Sequence, residues 1–332
     1  MTSQSSVVAI GVFDGLHLGH QALTAQTASV AAEFGLLPRA LTFNPHPMTV
    51  VRGMQVELLV SIERRIELLR EAGMHDVYVC NFDSERASQS PEEFIASVLI
   101  EKLGAQHVVV GKGFRFGKGA AGNADTLREA GLVVHEVAQV NEHGGRVSST
   151  RIRELIAGDD LETANELLTR PHRVEGVVVH GKKRGRDLGF PTANLRLDFR
   201  QAIAADGVYA GWLSVVGDGV SGDCDLPVRQ WPAAISVGTN PTFDDVPERV
   251  VEAYALHETD IDLYDHLVAV DFVAKVRDMR AFSSLDELIS AMNTLQKGAK
   301  PSLMSLCTQR PVSGIAPHRR APSGRRARHG PW

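Results

Sequence analysis

G-V-F-D-G-L-H-L-G-H, Gly11 to His20, closes a β-branched run that opens at Val7 and leads into a helical pattern that lasts to Phe34 and stops at Gly35. A strand, a glycine turn and a helix in direct succession are the start of a nucleotide-binding α/β domain. Gly11 and Gly15 let the backbone turn sharply and approach a ligand, and the helix aims its free N–H groups at whatever sits there. That is a phosphate site, and Phe13 and Asp14 between the two glycines are counted with it. His17 and His20 lie three apart in the first turn, so their imidazoles share a face and can donate to one phosphate. A pair of surface histidines at a turn is the plainer alternative, and the strand-turn-helix setting disfavours it. No third His, Cys or carboxylate is spaced to complete a metal set.

Outward from this turn the strand and helix signals alternate. Strand runs at residues 39–43, 76–80, 107–111 and 132–137 are separated by helical patterns. One starts at Ser61 and ends at Gly73, one starts at Ser90-Pro91-Glu92-Glu93 and ends at Gly104, and one spans residues 123–130 and ends at Gly131. Ser90 with Glu93 reads as a capping box, and Pro91 suits the first helical position. The expectation is a doubly wound parallel sheet with helices on both faces.

Two more helical stretches, residues 150–157 and 161–168, precede Arg170-Pro171, and there the periodicity changes. Residues 173–180, 207–216, 233–237, 249–256 and 267–276 are short β-type runs parted by Gly, Pro and Asp, followed by a helical pattern over residues 285–294. That spacing predicts a small antiparallel barrel or sandwich. The expected domains are residues 1–170, 171–295 and a tail, 296–332.

The 332 residues are 43% hydrophobic and 23% charged, an ordinary globular composition with material for about two cores. The tail holds eight Lys/Arg and no acid, so the rest of the chain carries 27 basic against 40 acidic residues. An acidic body argues against specific nucleic-acid binding, and the tail reads as a disordered, solvated end. No run approaches the ~18 apolar residues of a membrane span, and no signal peptide is readable at the N-terminus. A cytoplasmic location is expected. Cys80, Cys224 and Cys307 form neither a disulfide framework nor a zinc set.

Two further segments carry phosphate chemistry. S-S-T-R-I-R, residues 148–153, sets hydroxyls and an Arg fork at a helix start, although an ordinary Ser-capped helix has the same pattern. G-K-K-R-G-R-D-L-G-F-P-T-A-N-L, residues 181–195, is a basic glycine loop feeding a strand. Thr192 and Asn194 point to one face of that strand, a hydroxyl and an amide oxygen suited to Mg²⁺; a solvated basic loop is the competing reading. G-K-G-F-R-F-G-K, residues 111–118, lacks the P-loop spacing.

The first motif and S-S-T-R-I-R resemble the H-x-G-H and S-S-T-x-I-R signatures of the nucleotidyltransferase superfamily. The loop at residues 181–195, with D-G-V-Y-A-G (206–211), S-V-G-T-N-P-T-F (236–243) and V-E-A-Y (251–254), resembles riboflavin kinase. Together with T-F-N-P-H-P (42–47) and V-V-G-K-G-F-R-F-G (109–117), the chain resembles the bacterial bifunctional riboflavin kinase/FAD synthetases over roughly residues 7–295. The resemblance implies phosphorylation of riboflavin to FMN by ATP in the barrel, then adenylylation of FMN to FAD by a second ATP in the first domain. It gives Glu252 as the catalytic carboxylate of the kinase, Thr192 and Asn194 as Mg²⁺·nucleotide ligands, and His17 and His20 as stabilisers of the ATP α-phosphate. It adds Gly11, Phe13, Asp14, Gly15, His46, Gly111, Ser149, Thr150 and Arg153 to the first site, and Gly181, Arg186, Gly189 and Pro191 to the second. The oligomeric state is not readable.

Three positions depart from the family pattern. Gly113 stands where Asp or Asn is usual, Asp265 stands where Gly is common, and the sequence from Gln296 is unlike the usual C-terminal helix. Gly113 leaves open a protein that is a riboflavin kinase alone, and a flavin-binding regulator is the alternative from another class. Intact His17, His20, Arg153 and Glu252 argue for both reactions.

Overall fold

β1 (Ser6–Ile10) is buried along its whole length, as a strand covered on both faces must be. The structure, a computed structural model, describes residues 4–180, 192–217, 230–240, 248–256 and 261–278. These residues form a five-stranded sheet, eight α-helices and a six-stranded barrel. β1 lies at the centre of a five-stranded parallel sheet with β2 (Leu37–Asn44), β3 (Asp76–Asn81), β4 (Ala105–Gly111) and β5 (Val133–Val137), in the order β3-β2-β1-β4-β5.

Eight α-helices accompany the sheet: α1 (Leu18–Phe34), α2 (Pro47–Arg52), α3 (Ile62–Glu71), α4 (Ser84–Ser88), α5 (Pro91–Phe94), α6 (Ala124–Glu129), α7 (Ser149–Ala157) and α8 (Leu161–Leu168). Side chains of β1 alternate between two cores. Val7 and Ala9 pack with Leu23, Val30 and Ala31 of α1 and with Leu68 and Leu69 of α3. Val8 and Ile10 pack with Phe94, Val98, Leu99 and Leu127 from the other side. Helices therefore cover both faces, as expected from the alternation of signals.

Most helix starts follow the local chemistry of the sequence. Ser61 accepts the Arg64 N–H at 3.1 Å, and the Ser90–Glu93 capping box closes in both directions. Gly35, at φ 66°, ends α1 in the left-handed region that glycine reaches without cost. The helix expected from residue 91 onward differs: after α5 the chain continues as a π-helix, Ile95–Lys102. Two short helices, α2 and α4, and a small hairpin, β6 (Asn141–Glu142) with β7 (Gly145–Arg146), are additional. They are too short for a periodicity signal.

From His172 the chain forms a closed antiparallel barrel of six strands: β8 (His172–Val179), β9 (Ala193–Arg196), β10 (Gly207–Gly217), β11 (Gln230–Asn240), β12 (Glu248–Ala255) and β13 (Leu267–Arg277). Of the two architectures that the spacing allowed, the barrel is the one adopted, and β9 is its sixth strand. Its interior holds Val174, Val178, Leu195, Tyr209, Leu213, Ile235, Val251, Ala253, Val270 and Phe272. The same core continues into Ile152, Ile156, Leu161, Leu167 and Leu168, so α7 and α8 pack on the barrel.

Polar bonds tie the barrel to the sheet. Leu58 pairs with Gln201 as an isolated bridge, Ser61 Oγ donates to Glu175 at 2.7 Å, and Asn165 Nδ2 donates to the Phe272 carbonyl at 2.9 Å. Asp265 has φ 62°, so the position where the family favours glycine does require the left-handed region, which Asp tolerates better than most residues. The helix expected at residues 285–294 and the tail lie outside the described residues.

Candidate active site

The first site lies where the strand order reverses, between the carboxyl ends of β1 and β4, the crevice in which open α/β sheets bind ligands. A cavity of about 640 Å³ opens there. Its lining unites His17 and His20 from the start of α1, His46 from the cap of α2, Gly111 from the end of β4, and Ser149, Thr150 and Arg153 from α7. Residues separated by more than a hundred positions in the chain thus meet at one spot.

His17 is the N-cap of α1, one position before its first turn, and its Nδ1 accepts the His20 N–H at 3.3 Å. That bond fixes the proton of a neutral ring on Nε2, leaving Nε2–H as a donor. The rings of His17 and His20 stack at 3.7 Å between centroids, 15° apart, with Phe13 edge-on to His20 at 5.2 Å. Burial pushes His17 down to about 4, with help from the charges of Arg170, Arg146 and Arg153. His20 is lowered well below the usual range by burial, then by His17, Arg65 and Arg170. These shifts leave both rings neutral at pH 7, each with a single ring N–H. His46 is lowered mainly by burial; its Nδ1 accepts the Met48 N–H at 3.2 Å.

Four expected residues of this site, Gly11, Phe13, Asp14 and Gly15, lie beneath the cavity and are not part of its lining. Phe13 is fully buried at φ 54°, and a Cβ on Gly11 would stand 3.1 Å from its ring. Gly15 has φ 82°, and a Cβ there would meet Leu59 at 2.7 Å. The Asp14 side chain is 1% exposed and accepts the backbone N–H groups of Leu59 and Val60. It also pairs with Arg153, whose Nε bonds the Glu57 carbonyl at 2.5 Å. Ser149 Oγ donates to the Asp14 carbonyl at 2.8 Å. These groups shape the site through the backbone and through Arg153.

The structure adds residues that the sequence reading did not single out. Lys112 and Arg146 line the cavity. Arg65 lies below it, 2% exposed, with Nη1 on the Phe43 carbonyl at 3.0 Å and Nη2 3.9 Å from Asp14. The cations Arg65, Arg146, Arg153 and Arg170 bear on the histidine pair at the head of a 17-residue helix, so the local field suits an anion. Ser148 caps α7 by accepting the Arg151 N–H at 3.3 Å; the first N–H groups of that helix have no intrahelical acceptor. Gly113 has φ 82° and open space around its Cβ direction, and is not part of the lining.

On the barrel, Glu252 of β12 is paired in register with Asn194 of β9 on one side and Ser236 of β11 on the other. Directly paired residues face the same way. The core residues Val251, Ala253 and Leu195 occupy the alternate positions and point inward, so the Asn194–Glu252–Ser236 row lies on the outer face. Burial raises Glu252 above the usual carboxylate range. Asn194 turns its amide nitrogen to the Thr192 carbonyl at 3.4 Å, which leaves its oxygen as an acceptor. Hydroxyl, amide and carboxylate oxygens are the donors that Mg²⁺ prefers. Gly181, Arg186, Gly189 and Pro191 lie outside the described residues.

Two families of known proteins match successive parts of the chain. The FAD synthetase family matches residues 1–151 and the riboflavin kinase family matches residues 168–303. Among relatives, the bifunctional riboflavin kinase/FMN adenylyltransferase of Bacillus subtilis (strain 168) is 34% identical, aligned over 85% of this chain and 88% of its own. The protein of the same description from Pseudomonas fluorescens is 35% identical over 86% of this chain and 89% of its own. A crystal structure of a macrolide-efflux protein from Streptococcus pneumoniae superimposes with a TM-score of 0.75 at 32% identity, covering 90% of this chain and 94% of that one. Among the described residues of the present chain no helix is long and apolar enough to cross a membrane.

Proposed function

The chain belongs to the bifunctional riboflavin kinase/FMN adenylyltransferase family, and on that premise we propose how its own residues perform the two reactions. In the barrel, the 5′-hydroxyl oxygen of riboflavin attacks the γ-phosphorus of ATP, the bond to the leaving ADP breaks, and the hydroxyl proton is taken up by Glu252 or passed through it to water. Partial burial holds Glu252 above the usual carboxylate range, which makes it a better acceptor at its working pH. Thr192 and Asn194 would hold Mg²⁺ on the nucleotide, where the ion supplies charge neutralisation to the phosphates. Phosphoryl transfer depends chiefly on positioning, and Glu252 and Asn194 are already placed side by side by the pairing of β12 with β9.

In the sheet domain, an oxygen of the FMN phosphate attacks the α-phosphorus of a second ATP, and the bond between the α-phosphate and pyrophosphate breaks. FMN provides the nucleophile, so no covalent enzyme intermediate is needed. The neutral imidazoles of His17 and His20 donate N–H bonds to the α-phosphate oxygens as charge builds there. Arg146, Arg153, Lys112 and the amino end of α7 favour the phosphates electrostatically.

The convergence of His17, His20, Ser149, Thr150 and Arg153 on one cavity at the switch point carries this reading. Mutation should separate the two reactions. With riboflavin, FMN and FAD resolved by chromatography, His20→Ala should abolish conversion of FMN to FAD and spare conversion of riboflavin to FMN, whereas Glu252→Ala should do the reverse. A folded single variant that lost both reactions would overturn the assignment of one site to each half.

A further inference from the structure

The β6–β7 hairpin turns through His143 at φ 48° and Gly144 at φ 73°, the left-handed pair that a tight hairpin turn of matching twist requires. Two residues per strand do not hold a hairpin by themselves. Arg151, in the first turn of α7, holds this one. Its Nη1 donates to the carbonyls of Glu142 at 2.8 Å and Gly145 at 2.9 Å, and its Nη2 donates to that of His143 at 2.7 Å. A Cβ on Gly145 would stand 3.2 Å from that Nη1, so glycine there leaves the guanidinium its seat.

The hairpin leads straight into the phosphate pocket. Val140 and Val147, joined by a 2.9 Å backbone bond, line the cavity, and so does Arg146 at the end of β7. The Arg146 guanidinium meets no acceptor among the described residues, and its charge reaches His17. Arg153 differs, because Asp14 and the Glu57 carbonyl already occupy donors on two of its nitrogens. Of the two arginines, Arg146 has its fork free for a ligand.

We propose that Arg151 is a positioning residue of the adenylyltransferase site: by clamping the β6–β7 turn to α7 it presents the guanidinium of Arg146 to the nucleotide phosphates. This rests on the reading of the cavity as the FMN adenylyltransferase site. The S-S-T-x-I-R signature leaves position 151 unspecified, and the role follows from the carbonyls that this Arg reaches. Lysine keeps the charge but cannot span three carbonyls from a planar fork.

The test is a double-mutant cycle on the full chain with FMN, ATP and Mg²⁺. Arg146→Ala and Arg151→Lys each raise the KM for ATP in FMN adenylylation by about tenfold, the scale of one lost charge-assisted bond. Riboflavin phosphorylation stays unchanged in both. The double variant is no worse than the poorer single, because one change acts through the other, and the NMR titration of the His17 ring moves upward in both singles. Losses that multiply, or an Arg151→Lys enzyme with unaltered KM, would overturn the proposal. If Arg151→Lys also lost kinase activity, Gly145→Ala, which disturbs only the seat of the guanidinium, takes its place in the same cycle. Full FMN adenylylation by His20→Ala would instead refute the underlying reading of the cavity, so the two failures are distinct.

Discussion

Asp14 holds the backbone of the first site in place without entering the cavity. Its two oxygens take the Leu59 N–H at 3.0 and 3.1 Å and the Val60 N–H at 3.3 Å, pair with Arg153, and face Arg65 at 3.9 Å. Asp14→Asn replaces one acceptor by a donor among donors and strands buried positive charge. Removing one partner of a buried pair costs about 3–5 kcal/mol; urea unfolding will show a loss of that size, and FMN adenylylation will fall with it. A loss below about 1 kcal/mol, within the range of ordinary surface changes, would mean that Asp14 is not the anchor. The neighbouring histidines make a second prediction. Since His17 is lowered to about 4 and His20 is lowered well below its usual value, neither gains a proton between pH 8 and pH 6 in the free enzyme. The kcat/KM for adenylylation, which reports free-enzyme groups, will therefore show no histidine inflection in that window. An acid limb near the ordinary histidine value, removed by His17→Gln or His20→Gln, would contradict the burial argument.

At the scale of elements, the helix and strand pattern of both halves was legible because each long element carries its own period and its own stop. α1, α3 and α8 begin and end where residues such as Ser61 and Gly35 place the limits. The His17–His20 turn and the S-S-T-R-I-R segment were legible for the same local reason. What the sequence does not display is long-range partnering. Nothing local says that Asp14 will be consumed by Leu59, that Arg146 will come free, or that Ser236 will flank Glu252, since these depend on loop closure and register. The placement of α7 and α8 is of this kind. The expected boundary at Pro171 groups them with the sheet, yet Leu167 and Leu168 pack in the core that fills the barrel. Leu167, fully buried, tests that placement: Leu167→Ala should cost about 2–5 kcal/mol. The loss should register in the fluorescence of Trp212 and Trp231, which lie on β10 and β11. A barrel transition that stayed in place would put α8 with the sheet after all.

Across the whole molecule, the two halves share a vulnerability to acid because each buries a neutral histidine. His17 lines the phosphate pocket, and His172 opens the barrel, 1% exposed, with Nε2 on the Ala202 carbonyl at 2.7 Å. A carbonyl only accepts, so His172 carries its proton on Nε2 and hides a bare Nδ1, which has no partner among the described residues. Burial pushes both rings down from 6.5 to about 4. Above pH 6.5 the rings are neutral folded or unfolded, and no penalty arises. As pH falls below 6.5, the unfolded chain binds protons that the folded chain refuses, so stability is lost progressively until about pH 4, where the folded rings also titrate. Each ring accounts for about 3 kcal/mol over that window, and together they are comparable with the 5–15 kcal/mol that stabilises a typical domain. Urea unfolding at pH 7, 5.5 and 4.5 should therefore show a steep decline in a range where most carboxylates are still ionised. His172→Gln keeps an N–H for Ala202 but cannot titrate; since His20 is buried and lowered as well, it should remove about a third of the decline, even if it lowers stability at pH 7. The same pH dependence in that variant as in the parent would show that His172 opens to water before the barrel unfolds, and that the acid response of the molecule belongs to the phosphate pocket alone.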